Sequence, residues 1–102
     1  MRAACPEATV SWTGGAFHPG ETAADHPFAE LVIKATTDEL GRPARAVGVP
    51  YGADMRLFCA RGIPCVMVGT RGLELAHAVN ESVAIADVEA LARLLVRIIA
   101  RF

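Results

Sequence analysis

Lysine is nearly missing from this chain. Lys34 is the one lysine among 10 basic residues, and the arginines are scattered rather than gathered into a run. With a formal net charge of −1, that pattern argues against nucleic acid or an anionic membrane surface as a partner. Long apolar runs are missing too: Arg, Glu or Gly interrupts each one, so no membrane span is expected. The opening MRAACPEATV has no apolar stretch of the length a secretory signal needs. The three cysteines, Cys5, Cys59 and Cys65, form no C-x-x-C pair, which argues against a zinc ribbon or a thioredoxin-type centre. They are expected to be reduced thiols in a cytoplasmic protein. A thiol-dependent enzyme would need a positioned His or Asp beside Cys59 or Cys65, and the sequence offers none. There are no internal repeats and no low-complexity segments.

What is present is a folding composition. Of 102 residues, 53% are hydrophobic and 21% charged, which suits one small domain with a thin margin of stability. Residues 8–13 have strand-like types and lead into a Gly- and Pro-containing linker over 14–25. A helix is predicted from Asp25-His26-Pro27, with Phe28, Leu31, Val32 and Ala35 on one face and Gly41 closing it in a left-handed turn. Residues 45–49 read as a short strand and 63–68 as a strand buried on both faces. Between them Asp54 is placed to cap a short helix over about 55–60. A last helix begins near Asp87, with Val88, Leu91, Leu95, Ile98 and Phe102 on its apolar stripe and Glu89, Arg93, Arg97 and Arg101 opposite. The alternation predicts an α/β fold: a partial, mixed or mostly parallel sheet flanked by two main helices. Such a sheet has too few strands to cover its own edges, so self-association is expected.

Two places could carry chemistry. At 48–56 the chain turns through Gly52, Ala53 and Asp54 into a helix start, where backbone N–H groups favour an anion and Arg56 offers a charge partner. Residue chemistry alone favours a plain capped turn there. At 76–81, His77 precedes Asn80 and Glu81, which could orient it or simply tie down the loop. A catalytic zinc needs about three protein ligands, so one histidine is not a site by itself. His18 and His26 match no short metal motif.

The strings GVPYGADMRLF at 48–58, GIPCVMVGT at 62–70 and AHAVNESVAIADVEAL at 76–91 together resemble the C-terminal region of the acetylornithine deacetylase and succinyl-diaminopimelate desuccinylase family. VSWTGGAFHPGETAADHPF at 10–28 resembles the passage in that family from the smaller lid domain back to the catalytic domain. The resemblance implies a zinc-dependent amidohydrolase or peptidase whose two metal ions activate water against the amide of an N-acyl amino acid or peptide. It implies that residues 1–24 end the lid (dimerisation) domain and its linker, and that 25–102 form the C-terminal part of the catalytic domain. By the same resemblance His77 is the last metal ligand, with Asn80 and Glu81 behind it. Gly52, Ala53, Asp54 and Arg56 seat the substrate carboxylate.

The chain departs from that family where the rest of the chemistry should be. It contains no His-x-Asp and no Glu-Glu pair, the sources of the other ligands and of the general base. No residue of this chain is therefore expected to be catalytic. The expected reading is a C-terminal part of such a hydrolase, without stoichiometric zinc and not competent alone. The alternative is a non-catalytic interaction or oligomerisation remnant.

Overall fold

A computed structural model describes residues 7–9, 11, 13–15 and 17–102. The strand expected at 8–13 includes Val10 and Trp12, which lie outside the described residues, as does Cys5. Among the described residues the elements are α1 (Pro27–Leu40), α2 (Met55–Cys59), a 3-10 turn (Leu73–Leu75) and α3 (Ile85–Ile99).

Helix α1 starts and stops where its sequence dictates. Pro27 fills the first turn, where its missing N–H costs nothing, and the His26 Nδ1 accepts from the Phe28 N–H at 3.1 Å. Gly41 ends it at φ 63°, a left-handed conformation that suits glycine, with its N–H on the Thr37 carbonyl. Its buried face is Ala29, Val32 and Ala35.

Helix α3 packs on α1 and begins two residues before Asp87. Asp87 does not start it; its carboxylate accepts from the Arg71 guanidinium instead. The expected stripe is also shifted. Leu94 is the buried residue, Leu91 and Ile98 are half-buried, and Val88, Leu95 and Phe102 are exposed. Ion pairs accompany this rotation. Arg93 and Arg97 both reach Glu39 at the end of α1, at 2.7 and 2.9 Å, and Arg101 reaches Asp38 at 2.8 Å. The Phe28 and Phe102 rings meet edge to face at 6.0 Å.

The predicted α/β sheet is not there: the described chain is helical and contains no strand. Residues 43–49 and 63–70 are unbent, non-helical runs, but neither has a ladder partner. A helix satisfies its own backbone groups, whereas an extended run becomes a strand only when a neighbour supplies the other half of each hydrogen bond. The bonds these runs do make come from elsewhere. Ala44 donates to the Thr37 hydroxyl, Ile63 to the Phe58 carbonyl, and Cys65 pairs with Thr22. Pro64 has no N–H at all, which also counts against a central strand.

The result is an open molecule. Its radius of gyration is 17.2 Å, where a compact domain of this length has about 13 Å. Its accessible surface is 8496 Å², against roughly 5500 Å² for a closed monomer of this mass. No large side chain among the described residues is fully buried.

Candidate functional site

The turn at 52–56 borders an open slot of about 980 Å³, lined also by residues 44–50 and 65–69, by Ala29, Val32, Ile33 and Thr36 of α1 and by Leu94 of α3. Gly52, Ala53 and Arg56 line it; Asp54 does not. Asp54 precedes α2 but makes no side-chain capping bond; its carbonyl accepts from the Leu57 N–H at 2.9 Å. Helix α2 has only five residues, so the aligned dipole that would draw an anion is short.

Arg56 is the unusual group. Its guanidinium carbon lies 4.6 Å from the centre of the Phe17 ring, a cation–π contact. Its Nε is shielded from solvent and has no hydrogen-bond partner. A buried donor on a charged group is costly to leave unmade, so this nitrogen is suited to an acceptor that the described residues do not provide.

Two residues that the sequence did not mark hold this end of the slot together. Thr22 uses its one hydroxyl twice: it donates to the Cys65 carbonyl at 2.7 Å and accepts from the Cys65 N–H at 2.9 Å. One side chain thus satisfies both main-chain groups of a residue on the slot wall. Gly20 lies directly on α2, where a Cβ would sit 2.7 Å from the Arg56 Cα and 2.8 Å from its N. The only signal for either was their place in a Gly- and Pro-containing linker, which reads as loop rather than as contact.

His77 lies apart from this slot. It is exposed, in a tight turn after the 3-10 segment, with a left-handed φ of 65°. The Glu81 carboxylate accepts from the His77 main-chain N–H at 3.1 Å, which fixes the turn and leaves the imidazole uncontacted by that bond. Asn80 is exposed. Beside the turn is a small hollow of about 280 Å³ that Arg71 and Glu81 help line; His77 itself does not line it. The structure therefore does not bring the candidate ligand and the candidate carboxylate seat into one cavity. Among the described residues no three His, Cys, Asp or Glu side chains are grouped closely enough to hold a metal ion. The donor set does not fit a metal centre, and no hydrolytic step can be derived on it.

The family comparison decides the ancestry. The family model for peptidase family M20/M25/M40 matches residues 6–101. The chain belongs to that family. No curated protein and no solved structure matches it. Membership in M20/M25/M40 makes this a peptidase- or hydrolase-family chain, in a family that is generally metal-dependent. The match runs through both candidate sites, His77 and the 52–56 turn alike.

Proposed function

We propose that this chain is one part of a zinc-dependent amidohydrolase of the acetylornithine deacetylase and succinyl-diaminopimelate desuccinylase type, and that it does not hydrolyse amides alone. The substrate class is an N-acyl amino acid or a peptide. His77 supplies one metal ligand, with Asn80 and Glu81 beside it. Gly52, Ala53, Asp54 and Arg56 supply the seat for the substrate carboxylate. The observation that carries this reading is the unpartnered Arg56 Nε at the end of the slot, inside a chain whose family match is nearly complete. A guanidinium Nε–H without an acceptor suits a carboxylate better than a neutral group.

The test mixes the purified chain with a family hydrolase from which the matching C-terminal segment has been deleted. Hydrolysis of an N-acetyl amino acid should require both polypeptides and zinc. The chain alone should carry no stoichiometric zinc by mass spectrometry. One or two tightly bound zinc ions on the chain alone, with turnover, would overturn the reading.

A second reading is an interaction remnant that associates with itself or with an intact relative. The exposed apolar side chains of α3, among them Val96 and Ile99, favour it. A dilute, stable monomer in sedimentation would count against it.

A further inference from the structure

Phe17 is a large apolar side chain left 74% exposed, so burial does not account for its place. Its contacts do. The Arg56 guanidinium carbon lies over its ring, 4.6 Å from the centre. A Cβ added at Gly52 would lie 3.8 Å from the Phe17 Cδ1, an ordinary contact distance. Phe17, Gly52 and Arg56 all line the slot. The ring thus meets two of the residues read as the carboxylate seat. Its own segment holds it there. Gly20 lies against the main chain of Met55 and Arg56, and Thr22 is bonded to Cys65. The 17–22 segment is fastened at both of these points, and its first residue comes down on the guanidinium.

Arg56 differs in this from the ion-paired arginines. Arg71, Arg93, Arg97 and Arg101 each reach a carboxylate, whereas no acidic side chain among the described residues reaches Arg56. A carboxylate orients a guanidinium, but it also takes up N–H donors and offsets the charge. An aromatic face attracts the cation and has no oxygen to occupy those donors. An arginine meant to receive an anion is therefore better held by a ring than by an acid.

We propose that Phe17 is a positioning residue of the carboxylate seat: its ring holds the Arg56 guanidinium by a cation–π contact and leaves the N–H groups and the charge to the substrate carboxylate. This role rests on the reading of Arg56 as part of that seat, and it adds the side chain that keeps Arg56 in place. Phe17 touches no reacting group itself. A cation–π contact at an exposed position changes an equilibrium by about two- to fivefold.

The experiment uses the whole chain, labelled for nitrogen NMR. It is titrated at millimolar concentration with N-acetylglycine and, separately, with N-acetylglycinamide, which lacks the carboxylate. The Arg56 Nε–H is shielded from solvent and serves as the reporter, assigned by its loss in Arg56→Gln. Binding to that variant is followed by main-chain amides of 52–56. Phe17→Leu keeps an apolar side chain but loses the aromatic face; Phe17→Trp keeps the face. Helical circular dichroism should not change in either, because Phe17 is exposed. The native chain should bind the acid more tightly than the amide. Phe17→Leu should weaken the acid about two- to fivefold and leave the amide unchanged, and Phe17→Trp should bind the acid at least as well as the native chain. Undiminished binding of the acid by Phe17→Leu would overturn the proposal. So would an equal loss of acid and amide, which marks plain packing, or a Phe17→Trp chain as weak as Phe17→Leu. Native-like binding of the acid by Arg56→Gln would remove the seat itself and the role of Phe17 with it. That failure shows in the Arg56 variant, and the others show only in the Phe17 variants, so the two are distinguishable.

Discussion

Helix α1 hides Ala35 completely, while Val47, on the slot wall beside it, is 65% exposed. Both are apolar side chains. The difference is where their backbone hydrogen bonds go. Helices α1 and α3 close theirs internally and need each other only to cover side chains. The runs at 43–49 and 63–70 need a neighbouring main chain before their side chains have anything to pack against. The helices therefore close their main-chain hydrogen bonds on this chain, and the slot walls do not among the described residues. Thr22 shows the contrast in miniature, since one borrowed hydroxyl is what satisfies Cys65.

The sharpest break of this comparison is Leu94→Ala. Leu94 of α3 is, with Val32 of α1, one of the two larger buried side chains among the described residues that line the slot. Its loss should cost about 2–3 kcal/mol in urea unfolding followed by helical circular dichroism. Val96→Ala on the exposed side of the same helix should stay within about 0.5 kcal/mol. Equal effects would mean that α3 is rotated from the position described.

Gly20→Ala comes next. The added Cβ meets α2 backbone, which cannot swing aside as a side chain can, so destabilisation of about 1–3 kcal/mol is expected. A crystal structure of the variant should show the 17–22 segment lifted from α2. Thr22→Val then removes both bonds to Cys65 with little change of shape. A loss of about 1–2 kcal/mol is expected, together with faster exchange at the Cys65 amide.

The smallest effect is pH-dependent. Hydrogen bonds from Arg93, then Arg97, hold the Glu39 carboxyl below its ordinary range. A carboxyl with a depressed folded-state pKa contributes stability above its unfolded pKa, and that contribution fades as pH falls through the folded value. The urea midpoint should therefore drop on acidification below the ordinary carboxylate range, and Glu39→Gln should flatten that drop. Asp87, lowered by the hydrogen bond from Arg71, should add a weaker slope of the same sign because Arg71 is largely exposed.

The helices were legible because their signals are local. Pro27, the i, i+3, i+4 spacing and Gly41 set α1 within a residue. The stripe of α3 was misread because two neighbouring faces of that helix are apolar, and the contacts that distinguish them, such as Glu39 with Arg93, join residues 54 apart in sequence. Asp54 and Asp87 were both read as helix-start residues from position alone. Asp54 makes no side-chain cap bond, and a nearby guanidinium claimed Asp87. The sheet was misread for a different reason. Residue type marks 45–49 and 63–68 as able to pair, but pairing is a property of two segments, and the second is missing among the described residues. The broad family was legible from several blocks in order: the model for peptidase family M20/M25/M40 matches over 6–101 and does not reach the narrower deacetylase and desuccinylase group. The seat at 52–56 and the ligand candidate at His77 were named from the same blocks, yet no cavity joins them here.

The central claim is that the helices satisfy their own main-chain groups while the runs at 44–49 and 65–69 find no main-chain partner among the described residues. Amide hydrogen exchange on the chain alone tests it most directly. Amides within α1 and in the α1-facing turns of α3 should be protected, while those at 45–49 and 66–68 should exchange at nearly the rate of an unfolded chain. Protection of the slot walls equal to that of α1, at dilution, would contradict it.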